Sequence, residues 1–253
     1  MKRVLFSAVC LIVAVMGFSQ AKVIAHRGYW KTDGSAQNSI RSLVKADSVK
    51  VFGSEFDVWL TSDDKVVVNH DRVFKGVDFE HATLDEVRNV RLDNGEKVPT
   101  LDEYLSEACK HPDMRLILEL KSLTDMERED KAAEIIVADL KKYGLLGRTD
   151  IICFSINACI QFKKLCPVGV KIYYLDGDLP PKKIAKLGLA GVDYSMKALR
   201  KHPEWIKQAH DLGLEVNVWT VDKEEDMKYF LEQGVDYLTT NHPEQALKLV
   251  NAK

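Results

Sequence analysis

The sequence predicts a (β/α)8 barrel, and three observations carry that prediction. Short apolar runs alternate with longer segments that place apolar residues at intervals of three and four. Eight such short runs occur, with no Pro/Gly/Ser-rich linker between them. The chain beyond residue 21, about 230 residues, suits one closed α/β domain. Strict alternation implies a parallel sheet, and eight units suggest closure. An open doubly wound sheet is the competing arrangement, but no glycine-rich phosphate fingerprint follows the first strand. In either fold, function belongs at the carboxyl ends of the strands.

In chain order, residues 1–21 have the pattern of a secretory signal: Lys2 and Arg3, an apolar run from Val4 to Phe18, then the small-residue stretch Ser19-Gln-Ala21. The run is too short for a comfortable membrane span. Cys10 lacks the small-residue setting of a lipidated cysteine. The pattern therefore predicts an exported, periplasmic or secreted protein without a stable membrane anchor, whose single domain covers residues 22–253.

The eight strands are expected at 23–26, 55–60, 116–120, 150–155, 171–175, 192–195, 215–220 and 237–240, each a short apolar run. Helical spacing predicts helices at 39–51, 126–143, 156–165, 203–212, 223–232 and 243–250. In the longest of them, Ile135, Ile136, Leu140 and Tyr143 form the stripe to be buried. Gly144, Gly213 and Gly234 each stand where a helix should stop and turn back toward a strand. An additional strand at 65–70 should pair with the second through the turn-forming Thr61-Ser-Asp-Asp64. Residues 72–110 then form a small insertion before the third barrel strand, with helices at 84–90 and 101–110. Gly191-Val-Asp-Tyr194 recurs as Gly234-Val-Asp-Tyr237, and each copy is expected to open a strand.

Composition excludes some functions. Without Lys2 and Arg3 the chain holds 34 basic residues against 38 acidic ones, a formal charge of −4. That gives no basic footprint for nucleic acid. Cys109, Cys153, Cys159 and Cys166 show no CxxC spacing, so a zinc site is not expected. Cys153 falls in an apolar strand as core filler, and a Cys159–Cys166 bridge is left open.

The polar residues on these strands are not scattered. His26, Glu55, Asp57, His70, Glu119, Lys121, Ser155, Trp219 and Asn241 all fall in or just after strand segments. Residues two apart on a strand share a face, so Glu55 pairs with Asp57 and Glu119 with Lys121. Charges in such apolar sequence need a partner or a metal. A structural ion network with Arg27 or Lys121 would satisfy any one carboxylate. Three of them together fit one hard divalent cation, Mg2+ or Ca2+, which prefers oxygen ligands. His26 and His70 can exchange protons near neutral pH. Arg27 offers a planar fork for phosphate oxygens and Lys121 a point charge. Trp219 could wall an alkyl or glycerol moiety, or simply fill the barrel.

His26-Arg-Gly28, Asn38, Glu55-Phe-Asp57 with Thr61 and Asp63, His70-Asp71, Glu119-Leu-Lys121, Trp219-Thr220 and Thr240-Asn-His-Pro243 follow one another in an order that resembles the glycerophosphodiester phosphodiesterases. The resemblance spans nearly the whole chain after residue 21. It implies a TIM barrel hydrolysing small-molecule glycerophosphodiesters to sn-glycerol 3-phosphate and an alcohol. Glu55, Asp57 and Glu119 would be metal ligands, His26 and His70 the acid–base pair, and Arg27 with Lys121 the phosphate contacts. It also implies attack by the substrate's own glycerol hydroxyl through a cyclic phosphate. Two positions depart from the family's pattern: Gln37 replaces a usual Glu, and Asn241 a common Asp, both removing negative charge. Two rival functions remain at this level. One is a phospholipase D-like lipid phosphodiesterase, for which Val73-Phe-Lys-Gly-Val77 is the candidate apolar rim; the other is a non-catalytic phosphodiester-binding protein. The sequence is silent on oligomeric state.

Overall fold

A strand buried on both faces must be apolar or internally paired along its whole length, and β2 (Gly53–Leu60) is buried at every residue. The computed structural model describes residues 20–252. The expected signal segment lies almost wholly outside the described residues. Seven further parallel strands join β2: β1 (Lys22–Ala25), β6 (Arg115–Leu120), β7 (Thr149–Cys153), β8 (Ile172–Tyr174), β9 (Gly191–Ser195), β10 (Glu215–Trp219) and β11 (Tyr237–Thr240). Their order is β1-β11-β10-β9-β8-β7-β6-β2, and β1 also pairs with β2, Ile24 opposite Gly53, which closes the barrel. The (β/α)8 expectation holds.

Registers identify the interior face. Partners along the ring, such as Glu55 with Ile117, Ile152 with Tyr173 and Asn217 with Tyr237, point the same way. Ile24, Ile117, Ile152, Tyr173, Leu175 and Tyr237 form a separate apolar cluster inside the barrel. Below it, Lys171 Nζ reaches Glu215 at 2.7 Å and the Tyr237 hydroxyl at 3.2 Å, while Arg115 reaches Asp150 at 3.1 Å. These pairs close the amino-terminal end. The larger core lies between strands and outer helices.

The helices stand near their expected places: α1 (Ile40–Ser48), α4 (Met126–Lys142), α5 (Ile156–Leu165), α8 (Glu204–Asp211), α9 (Glu224–Gln233) and α10 (Pro243–Asn251). Ser39 and Ser155 cap α1 and α5 by accepting backbone N–H groups of their first turns. Gly144, Gly213 and Gly234 all have positive φ, as the turns back toward strands require. Two short helices escape sequence periodicity, α6 (Pro181–Leu187) and α7 (Met196–Lys201).

Between β2 and β6 the chain forms β3 (Val66–Val68), antiparallel to β2, a small hairpin β4 (Val73–Phe74) and β5 (Val77–Asp78), then α2 (Leu84–Arg88) and α3 (Leu101–Ala108). Tyr104 of α3 stacks on Phe56 of β2 at 4.4 Å. So α3 packs on the outer face of the second strand. The Gly-Val-Asp-Tyr repeat is not structurally equivalent. Gly191 lies within β9, whereas Gly234 caps α9 in the left-handed region and β11 starts only at Tyr237. All four described cysteines are free thiols, with Cys153 in the core as expected and no Cys159–Cys166 bridge.

Candidate active site

The carboxyl-end face is built first from a sharp turn. After β1, Arg27 and Gly28 both adopt positive φ, 56° and 73°. A Cβ at Gly28 would come within 2.3 Å of Ser42 Oγ, so only glycine lets α1 approach this closely. The turn aims the Arg27 backbone N–H at Glu55 Oε2, 2.6 Å away. Asn38, also left-handed, donates to Asp57 Oδ2 at 2.8 Å and accepts from the Asp57 N–H at 3.1 Å.

β2 overshoots the rim. Val58 stands opposite Leu120, the last residue of β6, and Trp59 and Leu60 continue past it; all three pair with β3, and the chain folds back so that Asn69 N–H bonds the Asp57 carbonyl at 3.0 Å. That return delivers His70 to the level of the carboxylates, and Trp59 Nε1 holds the His70 carbonyl at 3.2 Å.

His26, Arg27, Glu55, His70, Glu119, Lys121 and Trp219 line one cavity, with Phe154, Leu175, Asp193 and Thr239 among its other walls. Asp57 lies just behind that lining. Each of Glu55, Asp57 and Glu119 offers a carboxylate oxygen within 4.8 Å of the others, and the three residues are only 2%, 1% and 8% exposed. Every expected site residue is therefore brought to this one place.

The electrostatics are those of crowded, desolvated charge. Burial, then the charges of Asp57 and Glu119, push Glu55 well above the usual carboxylate range. Burial and Asp57 push Glu119 up to about 7. For Asp57 burial works in the same direction, but Lys121, His70, Arg27 and the Asn38 amide together pull it down to about 2. Lys121 Nζ sits 2.6 Å from Glu119 and 3.3 Å from Asp57, and these anions outweigh burial in raising its pKa. Arg27 lies 3.9 Å from Asp57 and hydrogen-bonds Gln37. Burial lowers both histidines, His26 to about 4 with Arg27 assisting, and His70 against the opposing charge of Asp57.

Among the described residues, Glu55 Oε1 is buried without a hydrogen-bond partner, and the three carboxylates face two cationic side chains, Arg27 and Lys121. One hard divalent cation fits that donor set, supplying the missing positive charge and a partner for the orphaned oxygen.

Two contributors, Asp193 and Asp222, are not singled out by the sequence patterns. Asp193, on the interior face of β9, has an unpartnered Oδ1, and burial pushes it up to about 8. Asn241 Oδ1 meets His26 Nδ1 at 2.9 Å, and Asp222 holds the Asn241 amide nitrogen at 2.8 Å. Trp219 lines the cavity with its ring nearly perpendicular to that of Phe154, centroids 5.8 Å apart. The remaining five histidines are structural: His111 meets Asp47, His210 meets Asp236, His81 meets Asp78, His202 stacks on Trp205 and His242 meets Lys31. In the candidate apolar rim, Val73 is exposed, but Phe74 turns inward against Phe79.

Comparison with known proteins agrees with this geometry. Residues 26–245 match the sequence profile of the glycerophosphoryl diester phosphodiesterase family. A glycerophosphodiester phosphodiesterase of Caldanaerobacter subterraneus subsp. tengcongensis is 30% identical, the match covering 90% of this chain and 97% of that protein. The crystal structure of a glycerophosphodiester phosphodiesterase from Parabacteroides distasonis superposes with a TM-score of 0.91 at 47% identity, covering 93% of this chain and 99% of the other. An Oleispira antarctica phosphodiesterase, solved with the product sn-glycerol-3-phosphate, shares the fold at 24% identity with a TM-score of 0.77, over 92% of this chain and 98% of that one. A closed barrel, one mouth holding both imidazoles and the acidic trio, and a match spanning nearly all described residues lead to one assignment: the chain belongs to the glycerophosphoryl diester phosphodiesterase family and is a phosphoric diester hydrolase.

Proposed function

We propose that this enzyme cleaves glycerophosphodiesters to sn-glycerol 3-phosphate and an alcohol by general acid–base catalysis, His26 and His70 supplying the acid and the base, with one divalent cation held by Glu55, Asp57 and Glu119. The observation carrying the proposal is the single cavity that gathers both imidazoles, Arg27 and Lys121 around that carboxylate trio. The product bound by the Oleispira antarctica relative supports the choice of product. When bound, Mg2+ or Ca2+ would neutralise phosphoryl charge and orient a hydroxyl.

The protein's own groups divide the remaining work. Arg27 and Lys121 bring positive charge to the non-bridging phosphate oxygens. One imidazole removes the proton of the attacking glycerol hydroxyl as its O–P bond forms. The other protonates the departing alcohol oxygen as that P–O bond breaks, leaving a cyclic phosphate. Water then opens the ring with the two roles exchanged. Trp219 and Phe154 offer the apolar wall for carbon atoms of the substrate.

Export is part of the proposal, supported by the basic, apolar and small-residue order of residues 1–21 and by β1 beginning at Lys22. No helix among the described residues is long and apolar enough to cross a membrane. Release of glycerol 3-phosphate from glycerophosphocholine, tested with and without each cation, checks the chemistry. Preference for intact phospholipid over the deacylated diester would overturn the substrate class. A protein recovered outside the cytoplasm with Met1 still in place would overturn cleavage.

A further inference from the structure

Asn241 follows β11, and the chemistry of its neighbours permits only one orientation of its amide. The indole Nε1 of Trp30 can only donate, and it lies 2.7 Å from Asn241 Oδ1. The Asp222 carboxylate can only accept, and its Oδ2 lies 2.8 Å from Asn241 Nδ2 while its Oδ1 takes the Asn241 backbone N–H at 2.9 Å. The amide oxygen therefore faces Trp30 and the nitrogen faces Asp222. A flip would set donor against donor and acceptor against acceptor.

His26 Nδ1 meets that same amide oxygen at 2.9 Å. An oxygen with no proton to give can only accept, so Nδ1 carries the hydrogen. The neutral ring then keeps its lone pair on Nε2, the nitrogen Asn241 leaves free, on a residue that lines the cavity. His70 is backed differently, since its Nδ1 faces the Asp71 carboxylate at 2.7 Å. A carboxylate stabilises an imidazolium, whereas an amide oxygen brings no net charge. Burial disfavours the charged form of both rings. The charge of Asp57 opposes that at both rings, Asp71 adds to it at His70 alone, and a bound phosphodiester would add negative charge to the same cavity.

We infer that Asn241, clamped between Asp222 and Trp30, is a positioning residue that locks His26 as its Nδ1–H tautomer and so keeps the Nε2 lone pair free for proton transfer. The inference rests on the acid–base reading above, taken with His26 as base and His70 as acid of its first step. His26 Nε2 takes the proton of the attacking hydroxyl as the new O–P bond forms. The His70 imidazolium gives its proton to the alcohol oxygen as the old P–O bond breaks. In ring opening, neutral His70 takes a proton from water as the water oxygen bonds phosphorus, and His26 returns its proton to the glycerol oxygen released.

The test reads the tautomer and the kinetics separately. Two-bond 1H–15N spectra of chelated, 15N-histidine-labelled protein show which ring nitrogen of His26 bears the hydrogen. The wild type and Asn241→Asp, which keeps an oxygen acceptor, should show the Nδ1–H form; Asn241→Ala should shift toward Nε2–H. With glycerophosphocholine and cation, Asn241→Ala should lose about 10-fold or more in kcat with little change in KM. Asn241→Asp should recover most of that loss. A wild-type His26 in the Nε2–H form, or an Asn241→Ala enzyme with unchanged kcat, overturns the inference. If Asn241→Ala fails to fold, Asp222→Ala releases the amide and is read by the same spectra and the same kcat criterion. A wild-type enzyme that cleaves no diester would reject the acid–base reading instead, and the spectra would still decide the tautomer.

Discussion

Burial dominates the charge of Asp193, whose carboxyl rises to about 8 with one oxygen unpartnered, the nearby Glu119 charge adding to the rise and a hydrogen bond from Asn217 opposing it. The sign follows from linkage: a carboxyl raised in the folded state favours folding below its unfolded pKa near 3.8 and loses that advantage as pH climbs through about 8. Asparagine has nearly the same shape and no charge to bury. Thermal melts of chelated protein should therefore show Asp193→Asn gaining on the wild type from pH 4 to pH 8, and a constant difference would contradict a neutral Asp193. For the two imidazoles the expectation is kinetic. His26→Ala and His70→Ala should each lower glycerol 3-phosphate release by about 100-fold or more. These histidines were legible because each follows an apolar run and carries recognisable neighbours. Asn38 and Asp222 were not singled out for their contacts, since an amide or carboxylate in a loop gives no periodic signal and acquires its meaning only from partners far along the chain.

The turn at Gly28 shows how an element can hold a site. With φ at 73° and Ser42 in the way of any Cβ, Gly28→Ala must strain the backbone or push α1 off the barrel. Denaturant unfolding should show a loss of about 2 kcal/mol or more. A milder case is α3, whose start is a capping box between Thr100 and Glu103. Thr100→Ala should cost about 1 kcal/mol in the same measurement and leave turnover intact. Helices with a long apolar stripe, such as α4, were readable to within a residue or so. The short α6 and α7 were not: seven and six residues give too few turns for periodicity, and Pro180-Pro181 resembles a breaker until the second proline is found in the first turn. The Gly-Val-Asp-Tyr repeat misled for a related reason, because glycine can sit in a strand or end a helix with equal ease.

For the molecule as a whole, the barrel was legible because closure needs eight apolar strands and the sequence supplies them in order. Its polar mouth emerged from residue types at strand ends. The depth to which charge is buried there required coordinates, because sequence does not say which cation faces which carboxylate. The unbalanced negative charge predicts that a divalent cation stabilises the fold as well as serving the reaction. Binding at about 100 times the dissociation constant adds about 2.7 kcal/mol. For a chain of this size that raises the melting temperature by about 5–10 °C. Melts in EDTA against Mg2+ or Ca2+ measure this, Glu55→Gln should abolish most of the shift, and full activity in excess chelator would reject the cation's role. The overshooting β2–β3 hairpin works like a caliper, fixing the span from Glu55 and Asp57 to His70 along one covalent ribbon. Its tip at Thr61–Lys65 is thus the natural place to graft longer lips that select bulkier substrates, while a single residue added to the returning arm would swing the imidazole out of reach.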